Sequence, residues 1–138
     1  LTALHRVIFQ HQAWQDIQRQ ASVTLDRTSY TLLKVVASHR EAPCRLQAVA
    51  QYLGVEAPSV TRTVQALEQA RLVARRADPT DGRASIITIS KRGERQLAKL
   101  QAARREWLRR SLGNWSERDL ATFGKLLQRF ADDLTNTK

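Results

Sequence analysis

Arg75-Arg76-Ala77-Asp78-Pro79-Thr80-Asp81-Gly82-Arg83, continued by Ala84-Ser85-Ile86-Ile87-Thr88-Ile89-Ser90, is a basic stretch folded about a turn. Pro79 and Gly82 bracket the tip, because neither belongs inside a strand. The flanking runs 73–77 and 84–89 form the two arms, with Ile87 and Ile89 alternating inward. Just upstream, Leu46, Val49, Ala50 and Leu53 stand at i, i+3, i+4 and i+7, one apolar stripe of a short helix. Gly54 supplies the left-handed residue that ends such a helix at low cost. Val55-Glu56-Ala57-Pro58 restarts the chain, and Pro58 fits a first helical turn, where its missing N–H has no partner to lose. Val60, Val64 and Leu67 form the buried stripe of the next helix, over 57–70. Two short helices around a glycine, followed by a basic two-stranded ribbon, predict a winged helix-turn-helix.

Helices surround this core. Residues 3–21 hold Leu4, Ile8, Trp14, Ile17 and Ala21 at helical spacings without Pro or Gly. Thr24 and Asp26 are both able to cap a helix from Thr28 to about Ser38, marked by Tyr30, Leu33, Val36 and Ala37. Glu41-Ala42-Pro43 breaks it. Ser90 caps a long helix over about 91–111, whose apolar positions are Leu97, Leu100, Ala103, Trp107, Leu108 and Leu112. Gly113-Asn114 stops that helix, and Ser116 with Asp119 starts a last one carrying Leu120, Phe123, Leu127, Phe130 and Leu134. The fold class is therefore mainly α with a small β-hairpin wing, in a single domain over 1–138. Residues 28–92 form the winged core, flanked by helices at 1–22 and 93–138.

The flanking helices predict self-association. Trp107, Leu108, Leu120, Phe123, Leu127 and Phe130 are more apolar surface than one small winged domain covers, and exposed patches beyond a few hundred Å² are rare on monomers. A two-fold dimer covers them and sets two recognition helices about one DNA turn apart, roughly 34 Å.

At 138 residues and 42% hydrophobic, the chain is long enough for one cored domain, and 26% charged residues predict a soluble protein. No run approaches the ~18 apolar residues of a membrane span, and no basic-then-apolar start marks a signal peptide. The chain contains no Met, so residues ahead of Leu1 are expected. One cysteine, Cys44, excludes an internal disulfide framework and fits a reducing compartment, so the expected location is cytoplasmic.

A net charge of +10 points to a polyanionic partner. Its distribution is uneven. Residues 45–83 carry six Arg against four carboxylates, a net of +2, whereas residues 91–110 carry eight basic against two acidic side chains, a net of +6. Lys91, Arg92 and Arg95, nearest the hairpin, are the expected phosphate contacts of that excess.

Rotating 100° per residue from the Val60 stripe, the outward face of the helix at 57–70 carries Pro58, Thr61, Arg62, Gln65 and Gln69, with Ser59 at its edge. Hydroxyl, amide and guanidinium groups of this kind hold phosphates and read base edges in the major groove of double-stranded DNA. Arg62 suits a guanine and Gln65 an adenine. On the ribbon, Arg75 and Arg76 add positive charge to the first arm. Asp81-Gly82 permits a tight turn, and Arg83 beyond it suits the narrow minor groove. Asp81 is expected to pair with Arg83 or a nearby Arg and fix its direction.

The inventory does not support catalysis. His5, His11 and His39 are the only histidines, and no Ser or Cys has a recognisable base beside it. His5 and His11, six apart, do not converge on a metal, and His39 with Cys44 makes no zinc site. No metal, no cofactor and no enzyme activity are expected.

Leu46 through Gly93 resembles the winged-helix core of the MarR family (multiple antibiotic resistance regulators) of bacterial transcription regulators. Asp-x-Arg at Asp81-Gly82-Arg83 is the most specific element, within Asp78-Pro79-x-Asp81-x-Arg83. Ile89-Ser90-x-x-Gly93 matches the family's Leu-Thr-x-x-Gly, and Leu53-Gly54-Val55, Ser59-Val60-Thr61-Arg62 and Leu67-Glu68 support it. The helix order extends the likeness over the whole chain. The resemblance implies an obligate homodimer joined by the first and last two helices on a roughly palindromic operator. It puts the helix at 57–70 in the major groove and Arg83 in the minor groove, most often in a repressor. It also implies a cleft for a small aromatic or anionic effector, for which His11, Trp14, Tyr30 and Lys34 are the candidate lining. Cys44 does not match the position of the peroxide-sensing cysteines of one branch. Two departures stand out. Arg71 replaces the usual Gly, so the helix-to-strand turn is expected to be made differently, and Arg45-Leu46 starts the third helix without the usual Ser or Thr cap. Two rival readings use the same residues: a ligand-insensitive architectural DNA binder, and a winged-helix module that binds protein.

Overall fold

The apolar stripes within 28–38, 46–53, 57–70 and 91–103 become helices that meet on one core. In a computed structural model, which describes residues 11–39 and 43–136, the order is α1 (His11–Ala21), α2 (Arg27–Ser38), β1 (Cys44–Arg45), α3 (Leu46–Leu53), α4 (Ala57–Gln69), β2 (Val73–Asp78), β3 (Asp81–Ile89), α5 (Lys91–Ser111) and α6 (Glu117–Asn136). The side chains of His11 and Arg83 lie outside the description. The chain divides into two compact units, one up to Ala103 and one from Arg104.

In the first unit, Leu32, Leu33, Val49, Val60, Val64, Leu67, Leu72 and Ile87 are buried almost completely, joined by Leu97, Leu100 and Ala103 from the start of α5. Asp26 caps α2 by accepting the Ser29 N–H at 2.8 Å, while Thr24 takes no part in that cap. Three helices end alike. Just past the helix, the N–H of Val23, Val55 or Leu72 returns to a carbonyl five residues back, and the residue before it stands at positive φ: Ser22 at 52°, Gly54 at 63° and Arg71 at 57°.

Arg71 therefore corrects the expectation of a different turn. The chain keeps the left-handed corner and puts an arginine in it, because the Arg71 N–H to Glu68 carbonyl and Leu72 N–H to Leu67 carbonyl bonds demand that geometry. A Cβ there costs ~1–2 kcal/mol, part of which glycine loses again through its freer unfolded state. Arg71→Gly is expected to raise the unfolding free energy by about 1 kcal/mol in urea denaturation; an unchanged or lowered value would show that the arginine side chain offsets the strain.

The ribbon gains a third strand. The sheet order is β1-β3-β2, all antiparallel, with Cys44 opposite Ile87 and Arg45 opposite Ile86. Two residues are too few to display a strand's alternation, so β1 is silent in the sequence. Its pairing makes β3 the central strand and alters the inward set: Ile86 and Ile87 are both buried on opposite faces, and Ile89 is only half-buried. Ile86 stands between its register partners Arg45 and Arg76. The tip is also one step earlier than expected. Pro79 and Thr80 form the turn, and Gly82 lies within β3.

In the second unit, Ser116 accepts the Asp119 N–H at 3.1 Å and donates to the Asp119 carboxylate at 2.6 Å, so α6 starts where the sequence places it. No residue of α6 is buried. Leu120, Phe123, Leu126, Leu127, Phe130 and Leu134 are 38% to 61% exposed.

Candidate nucleic-acid interface

Helix α4 presents the face read from its sequence. Glu56 stands extended before it and makes no side-chain cap bond, leaving the first turn to Ala57 and Pro58. Burial of Val60, Val64 and Leu67 then fixes the rotation. Pro58, Ser59, Arg62, Gln65 and Gln69 are exposed, and Thr61 is half-buried with its hydroxyl donating to the Ala57 carbonyl at 2.9 Å. Arg62 has no ion pair among the described residues, so its donors are available to a ligand.

The wing separates the other candidates. Arg76 is exposed and likewise unpaired among the described residues, and Asp81 is exposed at the start of β3. Arg75 alternates to the other face. It stands opposite Ile87, half-buried, with Nη2 3.4 Å from the Glu68 carboxylate of α4, and its Nε and Nη2 are enclosed without a hydrogen-bond partner. It braces α4 against the sheet. The pairing expected between Asp81 and Arg83 falls on a side chain outside the description.

Lys91 and Arg92 are exposed, yet close in sequence to the hairpin is not close to its tip. Val73 pairs with Ile89, so these two residues stand at the base of the ribbon. With ~3.3 Å per residue, that base is roughly 17 Å along β2 from Asp78.

A residue absent from the expected set organises the tip. Asp78 is only 3% exposed. One carboxylate oxygen accepts the Thr80 N–H at 2.8 Å and the Thr80 hydroxyl at 2.7 Å. The other accepts Arg45 Nε at 2.7 Å and lies 2.7 Å from Arg45 Nη2, which also donates to the Thr80 hydroxyl oxygen at 3.1 Å. Hydrogen bonds from Thr80, then from Arg45, hold the Asp78 carboxyl down at about 2 against the opposing effect of burial. It therefore stays ionised at any pH above the ordinary carboxylate range. Arg45 precedes Asp78 by 33 positions, so no local spacing announces the pair. Arg45 is also the uncapped start of α3: its side chain leaves the helix end and serves the wing.

Three of the four expected effector residues do come together. Trp14 and Tyr30 rings lie 5.0 Å apart, and Lys34 Nζ is 5.8 Å from the Tyr30 ring centre. Trp14 Nε1 is already engaged, donating to the Leu25 carbonyl at 2.9 Å. His11 is the fourth, outside the described side chains. A surface recess of about 300 Å³ lined by Gln15, Gln18, Arg19, Ser22, Val23 and Thr24 shares none of them. Cys44 is buried in β1, and burial pushes its thiol up, which opposes thiolate chemistry. His39 Nδ1 lies 2.8 Å from the Val35 carbonyl at the end of α2, a structural place. Among the described residues no group of three His, Cys, Asp or Glu could hold a metal, and no helix is long and apolar enough to cross a membrane.

The model of the MarR family matches residues 23–84. The HTH-type transcriptional regulator YxaD of Bacillus subtilis is 34% identical over 114 residues, spanning 83% of this chain and 78% of its own. The chain belongs to the MarR family. It is a transcription regulator with a DNA-binding winged helix, and its relatives are regulators rather than enzymes. Two solved structures match this MarR-family fold over nearly its whole length. The crystal structure of MarR has a TM-score of 0.79 at 21% identity, covering 99% of this chain and 98% of that one. The PcaV regulator of Streptomyces coelicolor, solved with its natural ligand, has a TM-score of 0.68 at 21% identity, covering 95% and 88%.

Proposed function

We propose that this MarR-family regulator is a cytoplasmic homodimer that binds a palindromic operator as a repressor and leaves it when a small aromatic or anionic effector binds. The observation that carries the reading is the outward face of α4, where Arg62 and Gln65 stand exposed beside Pro58, Ser59 and Thr61. In the major groove Arg62 takes a guanine bidentately and Gln65 an adenine, while the residues of the first turn hold phosphates. The wing meets the adjacent minor groove through Arg83, with Arg76 and Asp81 beside it. Arg75 supports this surface from behind through Glu68. Lys91 and Arg92, exposed at the ribbon's base, add phosphate contacts.

Exposed apolar side chains along α6 support the dimer. The Trp14, Tyr30 and Lys34 cluster supports the effector, since two rings beside an ammonium suit an aromatic anion. That PcaV holds a natural ligand in the same fold agrees with this. An effector acts by binding one spacing of the two recognition helices better than the other.

Footprinting against genomic fragments tests the reading. A regulator protects a defined palindrome, and hydroxybenzoates lift that protection; protection without a defined sequence would instead favour the architectural rival. Arg83→Ala is expected to weaken operator binding by roughly 1–3 kcal/mol. Unchanged affinity would place Arg83 off the DNA.

A further inference from the structure

The wing tip is tied to the start of the helix-turn-helix by one buried side chain. Asp78 ends β2, Thr80 occupies the turn, and Arg45 lies on β1 directly before α3. Arg45 starts from the far edge of the sheet and passes β3 to reach Asp78, so the clasp spans all three strands. Both carboxylate oxygens are filled, each by two donors at 2.7–2.8 Å. Charge-assisted bonds of this length hold direction as well as position.

The ladder alone does not hold the tip. Register runs evenly from Val73 opposite Ile89 to Ala77 opposite Ser85, then jumps to Asp78 opposite Asp81. Gly82, Arg83 and Ala84 are extra residues on β3 at that jump. A bulge of this kind is where a ribbon bends and twists. Beyond it, the backbone pairing is reduced to the turn itself, and the Asp78 carboxylate bridges the weak point.

We propose that Asp78 is a positioning residue for DNA reading: through Arg45 and Thr80 it locks the wing tip to the start of α3, so that wing and helix-turn-helix meet the duplex as one preorganised surface. Asp78 does not touch DNA. Without the clasp, the ribbon hinges at its bulge and must be ordered again each time the protein binds, a conformational cost set against affinity. The proposal rests on the DNA reading above and adds to it a residue pair that sets its geometry.

The test uses the full chain and a duplex selected by the wild-type protein from a random-sequence pool. In Asp78→Asn the amide oxygen still accepts from Thr80, while its NH2 faces the Arg45 guanidinium, donor against donor. Operator affinity is expected to fall on the order of tenfold at a temperature where thermal unfolding shows the variant folded. Affinity for a scrambled duplex is expected to stay within about twofold. Hydroxyl-radical protection in the minor groove under the wing should be lost, and methylation protection of guanines in the major groove retained. Arg45→Gln removes the same clasp from its half-exposed end and carries the test if Asp78→Asn does not fold. The double variant should lose no more than either single one. Undiminished operator affinity with the flanking protection intact, or losses that add in the double variant, would overturn the proposal. A wild-type protein that selects no sequence from the pool would overturn the DNA reading instead.

Discussion

With Leu127 and Phe130 both changed to Glu, sedimentation equilibrium at micromolar concentration is expected to read one species of 15.7 kDa, where the unaltered chain reads twice that mass. Helix α6 carries a stripe of apolar side chains. Its apolar positions Leu120, Phe123, Leu127, Phe130 and Leu134 recur at three and four residues, yet none is buried, and Leu127 and Phe130 are 51% and 57% exposed. Full burial of a Leu or Phe side chain contributes about 1.5–3 kcal/mol, and a two-fold interface uses each residue twice. Removing two such residues therefore deletes four buried side chains, and the four introduced carboxylates resist desolvation. The loss amounts to several kcal/mol, many decades in the dimer dissociation constant. The helix itself should persist, because the Ser116–Asp119 cap is untouched and neither altered side chain is buried. Far-ultraviolet circular dichroism should accordingly change little. Operator binding should fall by 10² or more, since a monomer loses the second half-site held at high effective concentration. A variant that stays dimeric would move the interface to other helices.

The same stripe shows what was legible. Periodicity located α2 through α5 because each buries one face, and burial of that face is what the pattern encodes; α6 keeps the same spacing with its stripe exposed. Ser90 and Ser116 were readable as caps because a cap is decided within four residues. The reading face of α4 followed from rotation alone. What escaped is what depends on contacts distant in sequence. β1 exists because Cys44 and Arg45 find Ile87 and Ile86, some forty residues on. The inward turn of Arg75 reflects its place opposite Ile87, a matter of register that a charge count cannot see. Asp78 sat in the motif that named the family, but its partner Arg45 was visible only as a missing cap. Arg71 failed for a different reason: the geometry required by two backbone bonds prevailed over side-chain preference.

Gly93→Ala is expected to be the most damaging single methyl group in the winged unit. Gly93 lies in the first turn of α5, and that turn is pinned to the end of α4. The Ser90 N–H donates to the Leu72 carbonyl at 3.0 Å, the Ser90 hydroxyl donates to the Arg71 carbonyl at 2.7 Å, and the Gly93 N–H returns to Ser90 Oγ at 3.0 Å. A Cβ on residue 93 would stand 2.1 Å from the Leu72 carbonyl oxygen and 2.9 Å from Ile89 Cγ1. The oxygen is backbone of an almost fully buried residue, so it cannot swing aside as a surface side chain would. Retreat of α5 would break its bond from Ser90 and unseat Leu97 and Leu100 from the core. Helix propensity works the other way, favouring Ala by about 1 kcal/mol, but overpacking against fixed backbone costs up to ~3 kcal/mol or more. The net result is a loss of about 2 kcal/mol or more, on the order of 5 °C or more in thermal midpoint. Because Ser90 and Leu72 also hold the base of the wing, the damage should reach DNA binding even in the folded fraction. A midpoint that rises, as propensity alone would have it, would mean that α5 can move off Leu72 without disturbing the core beneath it.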